Sequence, residues 1–595
     1  MNYENYDPSF PDQPWVDLYL PLWANLPAFK SKPAFIWLRD DSTNGSTTSL
    51  TYSQLNDSVD SISSHLLIPL QRGDTVVVLC TPGLELVEII FACQRAGLLV
   101  LAQTKPKAAI ATRGYIAKVH RYVTSSNDTK LAHLLQNLTW IATVDVKNGE
   151  VVNSNVDHSS YNGCGADEVY LIQYTSGATG IPKPVLVTAG SAAHNVRTAR
   201  RAYDLHPNSV IVSWLPQYHD CGLMFLLLTI VSALNLPRLW LEMISNFNAT
   251  LHSVVKRGGV EKGTSAINLH TLRNLIIINE PIYKFRVEEF LNVFRPFGLN
   301  PSAISPSYGL AENSTFVSTS WRSLGNYKKG TSFPDFPCHN KLLPSARLDD
   351  EDEDIEIVIV NEETLEPVKD GIEGEILVSS PSNATGYLGH PSLTHEVFHG
   401  RLSDKANRCF VRTGDRGVIK GEERFLFVTG RCVDVIKLEN NEEIHAHYIE
   451  TAAFKSCPRF LRGGCLAAFK VGDKIVVVAE IQGNYEKEVG VLRRICEGVW
   501  KDERVEIGMT TSGKVQRWAA QENLVGGKMR VVMEVSFGDE MRTKMVKKKK
   551  DWGGRKRQWK SAGKVFSSFQ MFQIVLRCSL YSDTALEVIN FHHTR

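Results

Sequence analysis

The stretch Tyr174-Thr-Ser-Gly-Ala-Thr-Gly-Ile-Pro-Lys183 decides how the chain is read. An apolar run, Val169-Tyr-Leu-Ile-Gln173, precedes it and predicts a short buried strand. Three hydroxyl residues and two glycines then fall within six positions, and Pro182-Lys183 closes the turn. Such a turn can present backbone N–H groups and hydroxyls to phosphate oxygens, with Lys183 adding a point charge. No Gly-Lys-Ser/Thr closes it, so it is not a Walker loop. On these ten residues alone, an ordinary solvated turn is the commoner reading.

Outward from this stretch the pattern is that of an α/β protein. Ser191–Tyr203 reads as a helix, and Ser209-Val-Ile-Val-Ser213 as a strand running into Trp214-Leu-Pro-Gln-Tyr-His-Asp220. A strand end carrying aromatic, His and Asp residues is where an open α/β sheet places its site. Upstream, residues 1–40 read as an irregular lead-in with exposed turns, and Thr51–Leu67 as a helix with hydroxyl caps. Gly73–Leu79 and Leu98–Ala102 read as strands flanking a helix over Leu84–Gly97, a spacing that implies a parallel sheet. Downstream, Asn274–Asn279 reads as a strand and Val287–Phe294 as a helix, and Ser307-Tyr-Gly-Leu-Ala-Glu312 follows a Pro-rich turn. From Ile355 short strands over 355–360, 374–379 and 425–428 predict a small β-rich subdomain. Gly430-Arg-Cys-Val-Asp434 reads as a junction, and 435–525 as a compact α+β unit. No internal repeat is evident.

A chain of 595 residues allows two to four domains with sizeable cores. An apolar fraction of 43% and a charged fraction of 22% are those of a soluble globular protein. The net charge of +2 hides a division: residues 542–595 hold 13 Lys and Arg against 3 Asp and Glu, which leaves 53 against 61 in residues 1–541. The run 542–564, with eleven basic residues against Asp551 alone, reads as a disordered, solvated tail, and nucleic acid is not the expected partner. Eleven cysteines without a Cys-x-x-Cys pair favour reduced thiols in a cytoplasmic compartment. Residues 1–30 lack the basic start and apolar core of a secretory signal. The longest apolar run, Leu223–Leu236, is interrupted by Thr, Ser and Asn and falls short of a bilayer span.

Four further motifs follow the opening loop in order: Ser213-Trp-Leu-Pro-Gln-Tyr-His-Asp220, Tyr308-Gly-Leu-Ala-Glu312, Arg412-Thr-Gly-Asp415 with Gly430-Arg431, and Thr510-Thr-Ser-Gly-Lys514. With this ordered set the chain, over roughly residues 15–535, resembles the adenylate-forming superfamily of acyl-CoA synthetases and AMP-binding enzymes. The Trp-Leu-Pro…Tyr-His-Asp run points to its fatty acyl-AMP ligase branch. The resemblance implies a large α/β N-terminal domain of parallel-rich sheets with helices and a small β-rich subdomain, residues 1–430. A small, mobile α+β C-terminal domain would follow over 431–535, with the basic tail over 536–595. It implies ATP and Mg²⁺ as cofactors and activation of a carboxylic acid, expected to be a fatty acid, to acyl-AMP with release of pyrophosphate. The acyl group would then pass to CoA or to the phosphopantetheine thiol of an acyl carrier protein.

The same resemblance assigns roles. Thr175, Ser176, Gly177, Thr179 and Gly180 would hold the β- and γ-phosphates with Lys183 nearby, and Tyr308, beside Gly309 and Ala311, would stack on adenine. Glu312 would bind Mg²⁺, Asp415 would accept the ribose hydroxyls with Arg412 and Arg431 around it, and Arg431 would reinforce ribose or phosphate. His219 would line the acyl site, and Lys514 would enter from the small domain to meet the α-phosphate and carboxylate. Charge builds on the α-phosphoryl oxygens in such a reaction, which is why fixed cations and donors are what the site must supply.

The chain departs from the family pattern in four places. Ala178 replaces a hydroxyl residue, and Pro184 replaces glycine and removes a backbone N–H. The region between Leu228 and Lys256 is short, and so is 497–511. Val433 stands at the usually polar hinge position before Asp434. These departures keep a second reading open, a catalytically impaired nucleotide-binding homologue or a regulatory partner of an intact enzyme.

Overall fold

The computed structural model describes residues 17, 19–38, 47–101, 106–125, 129–148, 164–175, 181–205, 211–212, 222–223, 233–235, 269–270, 272–278, 281–322, 331–348, 354–403, 405, 407–438, 442–472 and 474–481. It also describes 494–495, 499, 502, 517, 521–522, 525, 533–537 and 572–578. They divide after Cys432 into two compact units.

In the first unit, a four-stranded sheet runs in the order Leu99–Leu101, Thr75–Leu79, Ala108–Ala111, Thr139–Ala142, with every pair parallel. The expected strand–helix–strand is there: Thr75 pairs with Leu99 across the helix Leu84–Arg95. Thr75-Val-Val-Val-Leu79 is apolar after its first residue, the composition of a parallel strand, with Val76 buried and its neighbours half-buried. The helix Tyr52–Leu66 packs on Leu84–Arg95 through Leu55, Val59, Ile62 and Leu66, all buried, at the spacing of one helical face. Its start is a capping box: Gln54 N–H donates to Thr51 Oγ1 (3.2 Å) and Thr51 N–H to Gln54 Oε1 (2.9 Å).

The described part of the expected irregular lead-in, residues 19–38, is not irregular. Tyr19–Asn25 is a helix, and Pro33–Leu38 is a strand paired with Thr47–Thr51 and Ala233–Asn235. Burial of large aromatics drives this. Trp23 is fully buried and stacks on Tyr19 at 5.2 Å, with Tyr52 edge-on at 5.9 Å. Such a side chain contributes about 1.5–3 kcal/mol or more through area alone.

Three further sheets complete the first unit. Gly386–Tyr387, Pro184–Thr188 and Val169–Tyr174 form an antiparallel sheet. Leu275–Ile277 runs parallel to Ile304–Leu310, which pairs antiparallel with Thr315–Thr319. The β-rich region is an antiparallel sheet in the order Ala346–Arg347, Phe425–Arg431, Val411–Lys420, Gly374–Ser379, Glu356–Val360.

The second unit has a short hairpin, Val435–Lys437 with Glu443–His445, then the helix Ala446–Ser456 and the long antiparallel pair Leu461–Val471 and Lys474–Ile481. Ile449, Ala453, Phe454, Leu461, Ala468 and Val477 form its core. Arg517 joins Glu450 at 2.7 Å and Asp434 at 2.6 Å. The stretch beyond 535 is not a tail throughout. Phe572–Cys578 pairs parallel with Lys474–Ile481 and antiparallel with Met533–Phe537. Its Phe-Gln-Ile-Val-Leu segment has strand propensity that the basic composition of the surrounding residues hides. The basic run 542–564 lies outside the described residues, as do most of 228–256 and 497–511. No helix among the described residues is long and apolar enough to cross a membrane.

Gly309 marks the tightest backbone approach near the candidate site, since a Cβ there would lie 1.9 Å from Thr315 O. Backbone cannot yield as a flexible side chain can. Gly309→Ala therefore lowers stability by about 1–3 kcal/mol, read as a lower urea midpoint; an unchanged midpoint would show that the strand pair relaxes freely.

Candidate active site

The opening stretch is the tip of a β-hairpin. Val169–Tyr174 and Pro184–Thr188 run antiparallel with Tyr174 opposite Pro184. Thr175 closes the neck twice: its N–H donates to Lys183 O at 3.1 Å, and its Oγ1 accepts Lys183 N–H at 3.0 Å. Pro184 stands at the first position of its strand, where a missing N–H is tolerated, and its carbonyl accepts Leu388 N–H at 2.8 Å. Ser176, Gly177, Thr179 and Gly180 of the tip lie outside the described residues, as do His219 and Lys514.

Glu312 sits one turn beyond the strand Ile304–Leu310, on the short 3-10 helix Ala311–Asn313. Sequence reading expected a Pro-rich turn before Ser307; the structure continues the strand through Pro306 to Leu310. The chain then turns back through Ser314 (φ 52°) and Thr315 (φ 104°). A β-branched residue held at such an angle stores about 1–3 kcal/mol. Neighbours fix it. Asn195, buried on the helix Ala189–Ala202, donates to Asn313 O (2.9 Å) and Phe316 O (2.7 Å) and accepts Phe316 N–H (3.2 Å). Gln173, from the strand feeding the hairpin tip, donates to Thr315 Oγ1 at 3.2 Å. Ala384 N–H donates to Glu312 O at 2.9 Å.

The side chain of Glu312 is half-buried and accepts a hydrogen bond of 2.6 Å from Tyr387 Oη. Lys183 Nζ lies 5.3 Å from the centroid of the same tyrosine ring. Lys183 and Glu312, 129 positions apart in sequence, are thus joined through one aromatic side chain. Burial, with the Glu312 carboxylate beside it, pushes the Tyr387 hydroxyl far above the ordinary tyrosine range.

A second carboxylate is held in the same manner. Asp415, buried on Val411–Lys420, lies opposite Arg431 on Phe425–Arg431, and Arg431 Nε meets its Oδ1 at 2.7 Å. Tyr308 Oη donates to Oδ2 at 2.7 Å. Each carboxylate oxygen keeps a further lone pair for another donor. Asp415 N–H donates to Thr413 Oγ1 (3.1 Å), which donates to Ile376 O (2.7 Å). Arg412 does not join Arg431 at Asp415. It pairs with Glu375 at 2.6 Å, and Glu375 also accepts Gly414 N–H at 3.2 Å. Val411, Thr413 and Asp415 are buried while Arg412, Gly414 and Arg416 are half-buried, the alternation of a strand.

Among the described residues, then, the structure brings together Tyr308, Asp415 and Arg431, and separately Lys183 and Glu312, with Gly309 and Ala311 between Tyr308 and Glu312. Sequence reading missed Tyr387, Glu375, Gln173 and Asn195. Gly386-Tyr-Leu-Gly389 carried a signal, a tyrosine framed by glycines, and Asn195 was a polar residue on the buried face of a helix. A single carboxylate that shares its cation with phosphate oxygens is a donor set suited to Mg²⁺, and Glu312, half-buried on a fixed turn, fits that ion.

Tyr308 is also raised well above its ordinary value, by burial first and by Asp415 second. A folded value above the unfolded one, about 10, means that its contribution is complete below that pH and is lost as pH rises through the folded value. Stability measured by urea unfolding therefore falls above pH 10. Tyr308→Phe makes that fall shallower; an identical slope in the variant would contradict the assignment.

The match to proteins of known kind fits this geometry. The AMP-binding enzyme family matches residues 22–388. The medium-chain-fatty-acid–[acyl-carrier-protein] ligase JamA of Moorena producens is 26% identical over 544 residues, covering 80% of this chain and 90% of that protein. The long-chain-fatty-acid–AMP ligase FadD26 of Mycobacterium tuberculosis is 26% identical over 554 residues, covering 80% and 92%. A solved structure from a study of fatty acyl-adenylate ligases of E. coli and L. pneumophila superposes with a TM-score of 0.68 at 23% identity, covering 87% of this chain and 98% of that one. An o-succinylbenzoate CoA synthetase of Bacillus subtilis, solved with ATP and a magnesium ion, gives 0.58 at 18% identity, covering 82% and 93%. At these identities the solved structures speak for the fold. With the family match spanning well over half its length, the chain belongs to the AMP-binding enzyme family.

Proposed function

We propose that this enzyme activates a fatty acid with ATP, forming an acyl-adenylate and releasing pyrophosphate. A carboxylate oxygen of the acid attacks the α-phosphorus, and the bond to the β-phosphate breaks. The single observation that carries the reading is the pair of restrained carboxylates, Glu312 and Asp415, each held by a tyrosine hydroxyl with a cation close by, Lys183 on the ring of Tyr387 and Arg431 on Asp415 itself. One carboxylate suits a metal beside phosphates and the other suits vicinal hydroxyls. That pairing supports catalysis over an impaired homologue, for which no described residue speaks.

In this reading Tyr308 lies against the adenine, Asp415 accepts the ribose hydroxyls, and Arg431 orients Asp415. Thr175, Ser176, Gly177, Thr179 and Gly180 surround the β- and γ-phosphates, and Lys183 adds positive charge from the end of the hairpin. Glu312 would hold Mg²⁺, which when bound neutralises phosphate charge and favours departure of pyrophosphate. His219 lines the acyl site, and Lys514 stabilises charge on the α-phosphate and the incoming carboxylate. The names of the matching ligases support a medium- or long-chain acid. The acyl group then passes to a thiol, on CoA or on the phosphopantetheine of a carrier protein, with AMP leaving. We place the domain limits of this reading at 1–430 and 431–535 and its setting in the cytoplasm. Val433, 73% exposed, stands at the hinge between the two half-reactions.

Exchange of labelled pyrophosphate into ATP, run with carboxylic acids of increasing chain length, tests the reading. Exchange that depends on a fatty acid is expected; a folded protein that exchanges with none of them defeats it. Lys514→Ala should lower exchange by about 10²–10³-fold, the size of losing one transition-state donor, while ATP binding measured by calorimetry changes little. Equal loss of both would remove Lys514 from the chemistry.

A further inference from the structure

Tyr387 lies outside the five motifs read from this sequence, yet it touches both halves of the phosphate side of the site. Its hydroxyl donates to Glu312 Oε1 at 2.6 Å and Lys183 Nζ sits 5.3 Å from its ring centroid. The residue cannot drift. Gly386 and Tyr387 form the edge strand against Leu186 and Val185, next to Lys183 itself. Tyr387 N–H donates to Thr394 Oγ1 at 2.9 Å, and Phe398 packs edge-on against its ring at 5.1 Å. A Cβ on Gly386 would come within 2.3 Å of Thr394 Cγ2, so the strand is seated against the helix Pro391–Phe398. Glu312 has further restraints on its backbone, through Ala384 N–H from the segment leading into Tyr387 and through the Asn195 contacts to its turn. Two restrained side chains thus meet at one tyrosine.

A buried tyrosine hydroxyl needs a partner wherever it lies, and packing alone would satisfy the ring. What goes beyond packing is the identity of the partners, the expected metal carboxylate at one end and the expected phosphate cation on the face. We propose that Tyr387 is a positioning residue for the metal–triphosphate complex. Its hydroxyl takes one lone pair of Glu312 Oε1 and fixes the carboxylate rotamer, leaving Oε2 for the cation. Its ring is a π platform that holds the Lys183 ammonium at the neck of the hairpin. One side chain sets the separation between the protein's positive and negative contributions to the same phosphates. The proposal rests on the reading of Glu312 as the metal carboxylate.

Calorimetric titration of the full chain with ATP, in EDTA and then with Mn²⁺, separates the two halves without measuring turnover. Tyr387→Phe keeps the platform and removes the hydroxyl. It should leave metal-free ATP affinity within about twofold and weaken binding of the Mn²⁺ complex by about tenfold or more, the usual cost of losing a partner that orients a metal ligand. Tyr387→Leu removes both and should weaken metal-free binding as well. Glu312→Gln is the control on the underlying reading. If Glu312→Gln weakens Mn²⁺–ATP binding while Tyr387→Phe does not, the positioning role is overturned and the metal assignment stands. If Glu312→Gln has no effect, the metal assignment falls and the proposal with it. Equal metal-free affinities in the Phe and Leu variants would overturn the platform for Lys183. Should the Leu variant fail to fold, the Phe variant alone decides the role of the hydroxyl.

Discussion

The turn from Ala311 to Thr315 passes through two residues with positive φ, one of them β-branched, and an isolated peptide would not hold it. Asn195 holds it with three hydrogen bonds from one buried amide, and Gln173 adds a fourth through Thr315 Oγ1. Both come from elements flanking the hairpin: Gln173 from the strand that enters its tip, Asn195 from the helix that follows its exit. The position of Glu312 is thereby slaved to the position of the hairpin. Such buried amides are costly if left half-paired and specifying when fully paired, which is why the turn can keep a strained backbone. Gly309 belongs to the same constraint, because only a residue without Cβ lets Thr315 O come so close.

A common device appears at both carboxylates. Asp415 and Glu312 would each repel the triphosphate if nothing offset their charge. Each is instead clamped by a tyrosine hydroxyl and has a cation close by, Arg431 directly on Asp415 and Lys183 over the ring of Tyr387. The hydroxyl fixes the carboxylate without neutralising it, leaving lone pairs for further donors or a cation. At Glu312 a lysine or arginine in that place would form a tight ion pair, as Arg431 does on Asp415.

Much of this was legible in the residues. The strand–helix–strand from Thr75 to Leu101 stood out because its β-branched run and its helical face are each long enough to show their period. Asp415 and Arg431 could be named because they sit in short motifs on facing strands, but their geometry could not. Arg412 was misread because motif proximity took precedence over strand alternation, which sends its side chain away from Asp415. The helix Tyr19–Asn25 was hidden by Pro21, a residue the first turn of a helix accepts although it marks a break elsewhere. Pro184 concealed the returning strand of the hairpin for a related reason. Tyr387 had only its flanking glycines to mark it, since a two-residue strand has no period and its tie to Glu312 spans 75 positions.

The central claim is that a carboxylate attacks the α-phosphorus of ATP, and the fate of its oxygen tests this most directly. With a fatty acid labelled with ¹⁸O in both carboxyl positions, turnover to a thiol acceptor followed by mass spectrometry of the nucleotide should give AMP carrying one ¹⁸O. Unlabelled AMP, or ADP in its place, would contradict an acyl-adenylate intermediate.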